Sequence, residues 1–237
     1  MSGALDYHRA MSAQQPGLAV VIPTLDAQAT LAATLAALVA GTGLVREIVV
    51  ADGGSGDATV ALAGQGGARV VAARPGRGRQ LAAGAGATSA EWLLFLHADT
   101  RLGEGWADEA AAFMTSDGEA AAAFRFALDD SAPAARRLEA VVAWRCRVLG
   151  LPYGDQGLLL SREFYHRLGG FRPWPLMEDV DLLRRIGRAR LHLLESPALT
   201  SAARYRRGYL RRSSRNLSCL GLYYLGLPPA WLARLYG

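Results

Sequence analysis

Charged and polar side chains in this sequence follow each of four apolar segments, at the point where the segment ends. In chain order they are Thr24 and Asp26, then Asp52, then Arg74, Arg77 and Arg79, then His97 and Asp99. If the four segments are parallel strands, their carboxyl ends meet at one edge of a sheet, where ligands bind in open sheets of this kind. Carboxylates beside guanidinium groups suit a ligand that carries phosphate and a divalent metal ion. The pattern indicates a site for such a ligand, although any single one of these residues can also simply cap a loop.

Glu178 and Asp179 form a second centre of acidic chemistry. They follow a proline-containing loop and open a predicted helix, where a carboxylate also caps the helix or complements its dipole. In such a pair the two pKa values often separate, so that one carboxylate stays ionised and can act as a general base. Asp181 is expected to lie at the surface or to orient the helix.

Three further residues are candidates for contacts with a bound ligand. Asp155 and Gln156 lie in a Gly-Asp-Gln-Gly segment, which fits a simple turn as well as a contact role. Trp174 precedes the acidic pair, and it either stacks on a ring of the ligand or packs in the interior.

Apolar and helical segments alternate over the first hundred residues. The predicted strands cover residues 18–22, 47–51, 68–72 and 92–96, and the predicted helices cover residues 29–40, 57–63 and 79–87. Alternation with short links is typical of βαβ units and of a parallel sheet. The second half is looser, with predicted strands at 120–128, 157–160 and 190–194 and helices at 133–149, 162–168 and 179–188.

The organisation that follows is one α/β domain, with a mostly parallel central sheet flanked by helices, at residues 17–204. Residues 17–100 form its nucleotide-binding half and residues 101–204 its acceptor half. A flexible leader (1–16) precedes the domain, and an arginine-rich helical tail (205–237) packs on it. A chain of 237 residues with 51% apolar composition can bury the core that such a domain needs.

Composition and motif order disfavour several other classes of protein. The chain has no lysine, so a P-loop is excluded, and the glycine-rich stretch after Asp52 lacks the G-x-G-x-x-G order of dinucleotide-binding loops. Cys146 and Cys219 have neither metal-type nor redox-type spacing. Without a signal pattern or a membrane-spanning stretch, we expect a cytoplasmic protein, at most peripheral at the inner membrane face.

Six motifs in order resemble glycosyltransferase family 2, and more narrowly a small bacterial branch named after its association with radical-SAM and selenium-related genes. The motifs are VVIPTLDA (20–27), VVADGGSGD (49–57), GRGRQLAAGA (76–85), LLFLHADT (93–100), GDQGLLLSREFYHRLGGF (154–171) and MEDVDL (177–182). The resemblance implies a GT-A fold and an inverting, Mn²⁺- or Mg²⁺-dependent transferase that uses a nucleotide-diphosphate sugar, often a UDP-sugar.

The resemblance also implies roles for individual residues. Asp52 matches the aspartate that contacts base or ribose, and Asp99 matches the last aspartate of the D-x-D element, which holds the metal. His97 replaces the first aspartate of that element, so a contact with ribose, a metal ligand and a strand end all stay open for it. Asp179 matches the general base, and Glu178 would position the acceptor or the base. If the ligand contacts of Asp155, Gln156 and Trp174 exist, the resemblance implies that they are contacts with the acceptor.

The arginine-rich tail allows three interpretations: a solvated basic face, a clamp on the donor diphosphate, and a peripheral membrane contact. We expect Arg204 and Arg207 to contact the diphosphate and no nucleic acid to bind. The expected acceptor is a small molecule or a lipid-linked molecule. Two rival functions are a nucleotide-binding module that has lost catalysis and a nucleotidyltransferase.

Overall fold

An eight-stranded mixed sheet with helices on both faces forms the fold of the described chain. The computed structural model describes residues 17–115, 118–202 and 209–236. The strands are β1 (Leu18–Thr24), β2 (Val45–Asp52), β3 (Arg69–Ala72), β4 (Trp92–Phe95), β5 (Thr100–Leu102), β6 (Ala121–Leu128), β7 (Leu158–Ser161) and β8 (Leu191–Thr200). The helices are α1 (Leu31–Ala37), α2 (Thr59–Gln65), α3 (Arg77–Gly86), α4 (Trp106–Met114), α5 (Pro133–Leu149), α6 (Arg162–Arg167), α7 (Glu178–Ile186), α8 (Tyr209–Tyr224) and α9 (Pro229–Tyr236). Short 3₁₀ turns occur at Leu38–Gly41, Gly154–Gln156 and Arg188–Arg190.

The strand order in the sheet is β3-β2-β1-β4-β7-β6-β8-β5. The first four strands in this order pair in parallel, so their carboxyl ends share one edge. β7 runs antiparallel to both of its neighbours, and β5 runs antiparallel to β8. The predicted α/β domain with a flanked central sheet is confirmed, and the reversed directions of β7 and β5 make that sheet mixed.

The central strand β1 is buried on both faces. Ala19 and Val21 face one apolar cluster, whereas Val20 and Ile22 face another on the opposite side of the sheet. Because side chains alternate along a strand, a continuous apolar run needs a cover on each face. Helices α3, α7, α8 and α9 cover the first face, and α1 and α4 cover the second.

The second half of the chain departs from the sequence-based prediction in several elements. The predicted helix at 133–149 is confirmed as α5. The last strand continues beyond 194 to Thr200, because a bulge absorbs Glu195 and Ser196 before pairing with β6 resumes at Pro197. The Ser196 N–H donates to the Glu109 carboxylate at 2.9 Å. Strand β5 and helix α4 were missing from the prediction.

The described part of the tail packs against the domain. Its helices place Cys219, Leu220, Tyr223 and Leu232 in the apolar cluster that α3 and α7 also cover. None of the described helices combines the length and the apolar content needed to cross a membrane. The leader (1–16), Arg204 and Arg207 lie outside the described residues.

Helix α3 lies in close contact with the loop that leads to α7. A β-carbon at Gly78 would meet the carbonyl oxygen of Arg172 and would lie 2.9 Å from that of Trp174. Only glycine therefore allows α3 to approach this backbone, and the approach brings the amino-terminal ends of α3 and α7 together.

We predict that Gly78→Ala destabilises the protein, because backbone rather than a flexible side chain blocks the added methyl group. Overpacking of this kind costs about 1–3 kcal/mol, and a chain of this size loses about 2–4 °C of melting temperature per kcal/mol. Thermal unfolding followed by circular dichroism measures the effect.

Gly86→Ala, in the same helix, is the matched control. A β-carbon there meets nothing within 4 Å, so this variant should melt at the parent temperature or slightly above it. Equal melting temperatures for both variants would show that the loop at Arg172 and Trp174 shifts to accommodate the methyl group without a loss of stability.

Candidate active site

Two adjoining cavities lie at the carboxyl-end edge of the sheet. The larger, of about 430 Å³, runs along the end of β1 and the start of α3, and the smaller, of about 110 Å³, lies between the 3₁₀ turn Gly154–Gln156 and the start of α7. Arg77, His97, Asp99 and Ser201 line both cavities. A ligand that fills the larger cavity therefore reaches the mouth of the smaller one.

Asp52 is buried behind Thr24, which lines the larger cavity. Its two carboxylate oxygens accept hydrogen bonds from the Thr24 hydroxyl, the Ser55 hydroxyl and the N–H groups of Gly54 and Ser55. Burial alone would raise the pKa of Asp52, but these hydrogen bonds outweigh it and lower the pKa. Four donors fill the acceptor positions of the carboxylate, so Asp52 supports the wall formed by Thr24 and does not itself line either cavity.

Asp26 lies at the rim of the larger cavity with a backbone φ of 51°. Its carboxylate accepts the Gly56 N–H at 2.8 Å, and its own N–H donates to the Ser55 hydroxyl at 2.9 Å. Met177, which precedes α7, is the other non-glycine residue with positive φ among the described residues. Left-handed backbone costs energy for such residues, and here Asp26 lines the larger cavity and Met177 the smaller one.

Two of the arginines that follow β3 lie in different environments. Arg77 starts α3 and lines both cavities, with its guanidinium nitrogen 3.4 Å from the Glu178 carboxylate. The Arg79 guanidinium is exposed and lies 3.5 Å from the Pro75 carbonyl oxygen, away from the lining of either cavity. The structure thus brings Arg77, and not Arg79, to the predicted phosphate position.

His97 and Asp99 follow β4 and are half-buried between the cavities. A β-carbon at Gly154 would lie 2.6 Å from the His97 Nε2 atom. The imidazole therefore packs directly against the 3₁₀ turn, and glycine at position 154 makes room for it.

Asp155 presents a buried carboxylate to the smaller cavity. Among the described residues its Oδ1 atom has no hydrogen-bond partner. Burial raises the pKa of Asp155 to about 6, the charges of Asp179 and Asp99 add to the shift, and Arg145 and Arg77 oppose it. The backbone carbonyl of Asp155 accepts the Thr200 hydroxyl at 3.0 Å, which fixes the turn.

Gln156 faces away from the cavities, so the structure assigns it a packing role rather than the predicted acceptor contact. Its amide nitrogen donates to the Phe124 carbonyl at 2.9 Å, and its amide oxygen accepts from Arg145 at 3.4 Å and from the Cys146 thiol at 3.2 Å. The Arg145 guanidinium also stacks 3.6 Å above the Tyr153 ring. This network holds the turn in place from behind.

Glu178 and Asp179 differ sharply in environment although they are adjacent. Glu178 is fully buried, and its Oε2 atom has no hydrogen-bond partner within the described chain. Burial raises its pKa to about 7, with Arg77 opposing the shift and Asp179 adding to it. Asp179 lines both the smaller cavity and the pocket around Glu178, and its Oδ2 atom accepts the Gly154 N–H at 3.1 Å.

Trp174 and Asp181 lie elsewhere than the sequence suggested. The Trp174 ring packs edge-on against Tyr223 with centroids 6.4 Å apart and lines a separate groove, so the interior-packing alternative fits and acceptor stacking does not. Asp181 is buried and forms ion pairs with Arg172 at 3.1 Å and with Arg185 at 2.5 Å. The expected surface position of Asp181 is wrong, because it pairs with Arg172 in the loop before α7 and with Arg185 one turn further along α7.

The residues that remain at the site suit a metal held jointly with phosphate. The described chain contains no group of three or more His, Cys, Asp and Glu side chains able to hold a metal ion by themselves. Asp99 borders both cavities, and Asp155 adds an unpartnered carboxylate oxygen close enough to feel the charge of Asp99. One or two carboxylates completed by phosphate oxygens are typical of Mg²⁺ sites. The donor set therefore fits a divalent ion that arrives with a diphosphate.

Several residues of the site were missing from the sequence-based prediction. Gln80 is buried in α3, and its amide nitrogen donates to the Thr24 carbonyl at 2.6 Å and to the Ala51 carbonyl at 3.0 Å, so it links β1 to β2. Tyr153 and Asn216 line the smaller cavity. Asn216 is the one asparagine in the sequence, which was the available signal, whereas Gln80 and Tyr153 have no distinguishing spacing.

Comparison with protein families identifies the class of protein. Residues 19–173 match the family described as glycosyl transferase family 2. The match covers more than half of the chain, which therefore belongs to glycosyltransferase family 2 and is a glycosyltransferase. The narrower bacterial branch stays a prediction. No curated protein sequence matches the chain.

Solved structures of glucosyl-3-phosphoglycerate synthase from Mycobacterium tuberculosis are similar in fold. Its complex with Mn²⁺, UDP and phosphoglyceric acid is 23% identical with a TM-score of 0.63, over 95% of this chain and 83% of that chain. Its complex with Mn²⁺, UDP-glucose and phosphoglyceric acid is 25% identical with a TM-score of 0.58, over 82% and 73%. Its complex with Mg²⁺ and UDP is also 25% identical with a TM-score of 0.58, over 82% of this chain and 73% of that chain. The GT-A fold implied by the motifs is confirmed.

We predict that Glu178→Gln stabilises the protein increasingly as the pH rises. The unfolded carboxyl loses its proton around the ordinary pKa of 4.5, whereas the folded one keeps it up to about 7. The folded state binds more protons in this window, so Glu178 makes the parent less stable as the pH rises through it. Gln does not titrate, and its advantage should reach on the order of 2 kcal/mol near pH 8.

Thermal melting of chelator-treated protein at about pH 5 and about pH 8 measures this difference. Glu163→Gln, at an exposed position in the first turn of α6, is the control, and its offset from the parent should not change between the two values. A constant offset for Glu178→Gln would show that the buried carboxyl keeps its ordinary pKa.

Proposed function

We propose that this family 2 enzyme transfers a sugar with inversion from a nucleotide-diphosphate sugar, most simply a UDP-sugar, to a hydroxyl group. The acceptor is a small molecule or a lipid-linked molecule, and Mn²⁺ or Mg²⁺ assists the reaction. The observation that carries the proposal is the pair of cavities that meet at His97 and Asp99. One cavity is large enough for a nucleotide, and the other contains the carboxylates that an acceptor needs.

The larger cavity suits the nucleotide half of the donor. Its lining combines backbone at the end of β1, the start of α3 and the guanidinium of Arg77. The start of a helix and an arginine both attract phosphate. A diphosphate beside Arg77 would therefore place the sugar at the junction with the smaller cavity.

We assign Asp99 as the metal ligand. Asp155 is a neighbouring carboxylate, because the charge of Asp99 contributes to its raised pKa. His97 borders the same position and is a second candidate ligand. A bound divalent ion stabilises the negative charge that develops on the diphosphate as it leaves. The known structures with Mn²⁺ or Mg²⁺ and UDP, which belong to a protein of similar fold, support this assignment.

Asp179 is the general base in this proposal. The N–H groups of Gly154 and Val180 each donate to one of its oxygens, which fixes the carboxylate and leaves one lone pair on each atom for a substrate. The acceptor hydroxyl gives its proton to Asp179 as its oxygen bonds to the anomeric carbon, and the diphosphate departs from the opposite face with the bonding electrons. Glu178 contacts Arg77 and is fully buried outside the lining of the smaller cavity, so in this proposal it positions Arg77 and does not reach the acceptor.

We predict that Asp179→Asn lowers turnover about 10²- to 10⁴-fold, because the amide cannot accept the proton of the acceptor. Binding of UDP with Mn²⁺ should stay near the parent value, since the carboxylate faces the acceptor side. Turnover is measured as the release of UDP from a panel of UDP-sugars that includes UDP-glucose, with phosphoglycerate or water as the acceptor. Calorimetry measures the binding of UDP.

Asp108→Asn makes the same chemical change at an exposed position in the first turn of α4, on the other side of the sheet. It should retain parent activity. Because Asp181 is buried in two ion pairs, it is unsuitable as this control. Transfer at the parent rate by Asp179→Asn would move the base to Asp155 or Glu178.

We predict that Asp99→Asn weakens Mn²⁺-dependent UDP binding by roughly 10- to 100-fold. The side chain follows a strand end and does not pack the core, so the melting temperature of the apo protein should change little. Calorimetric titration with UDP, once in the presence of Mn²⁺ and once in the presence of chelator, separates the metal-dependent part of UDP binding from the metal-independent part. An Mn²⁺ dependence equal to that of the parent would remove Asp99 from the metal site.

A further inference from the structure

The hairpin formed by α8 and α9 exposes an unusual number of large apolar side chains. We name this set the hairpin patch. Its members are Leu217, Tyr224, Leu225, Trp231 and Leu235, which are 69%, 51%, 80%, 63% and 63% exposed. A single exposed leucine is ordinary, but four large side chains on two packed helices and a fifth, Leu225, directly after the first helix make a surface that water solvates poorly.

The same part of the chain is strongly basic. Residues 196–237 contain seven arginines and no aspartate or glutamate, while the whole chain has a net charge of +5. The positive charge of the protein is therefore concentrated in the segment that carries the hairpin patch. Apolar side chains and cations together suit an anionic surface rather than a neutral one.

A basic groove of about 480 Å³ adjoins the hairpin, between α7 and the turn at residues 226–229. Its lining has three arginines at 172, 184 and 185 and one acid, Asp181, which pairs with the first and the last. The Arg184 guanidinium instead lies over the rings of Tyr223 and Tyr224, at 5.7 and 5.3 Å from their centroids. Within the described residues no carboxylate forms an ion pair with Arg184, so its charge is available to an anion from outside.

We propose that the hairpin patch and this groove together dock the protein on an anionic lipid bilayer. The apolar side chains enter the boundary between headgroups and acyl chains, where Trp and Tyr are favoured, and Arg184 faces the headgroup phosphates. Stable peripheral binding needs two signals, and here one is apolar and the other is electrostatic.

Two other occupants of the surface fit the observations less well. In a symmetric dimer the same basic segment of each copy would face its twin, and like charges would repel. Nucleic acid would pair with the arginines but would leave the leucines of the hairpin patch in water. Of these three occupants, only the lipid surface uses both the apolar and the cationic features.

Co-sedimentation of the full chain with vesicles tests the proposal. The parent should sediment with vesicles of phosphatidylglycerol and phosphatidylcholine in equal parts, remain in solution with phosphatidylcholine alone, and be released by salt. The double variant Leu225→Ser/Trp231→Ser should bind roughly tenfold more weakly or worse. Arg184→Gln should bind roughly fivefold more weakly.

Val39→Ser and Arg101→Gln are the matched controls, at exposed positions away from the hairpin. Both should bind vesicles like the parent, and circular dichroism should show that all variants are folded. The proposal is overturned if the parent stays in solution with anionic vesicles, if neutral vesicles bind it equally, or if the hairpin variants bind like the parent. It is also overturned if lipid-free sedimentation shows a dimer that the double variant breaks.

Discussion

Negative charge held together in poorly solvated space is the constraint on which the site depends. Burial raises the pKa of Asp155 to about 6 and that of Glu178 to about 7, and the negative charge of Asp179 adds to both shifts. Arg77 and Arg145 offset part of this cost, yet one oxygen of Asp155 and one of Glu178 stay without a partner among the described residues. Such a cluster is stable only with protons or further cations, and a metal-bound diphosphate would bring the cation.

The parallel half of the sheet provides the rigidity that this cluster requires. Asp52 uses its carboxylate to join the ends of β1 and β2 to the loop that follows, and Gln80 joins the same two strands from α3. Gly78 lets α3 approach the loop before α7, so Arg77 reaches Glu178. Strained backbone at Asp26 and Met177 persists because these contacts over-determine it. The contacts in the parallel half of the sheet thus stabilise the fold enough to keep the buried carboxylates together.

Local sequence signals predicted most elements, whereas side-chain direction depended on packing that no local signal contains. Continuous apolar runs predicted β1, β2 and β4, and Pro133 marked the start of α5. For Gln156 and Trp174 the sequence left a contact with the acceptor open beside a turn role and interior packing, and contacts with the Phe124 carbonyl and the Tyr223 ring hold them away from the two cavities. The bulge before Pro197 interrupts the strand pattern, so the predicted strand ended at residue 194 although β8 continues to Thr200.

Reversal of a single strand explains how remote carboxylates reach the nucleotide edge. Because β7 runs antiparallel to β4, its first residue pairs with the last residue of β4, Leu158 with Phe95. The turn before β7 must therefore lie beside the residues after β4, which brings Asp155 to Asp99. A parallel β7 would place that turn at the opposite edge. The proposed donor and acceptor sites therefore come from different strands. The parallel strands end at the residues that would face phosphate, and the turn before the reversed strand contains a carboxylate that an acceptor would meet.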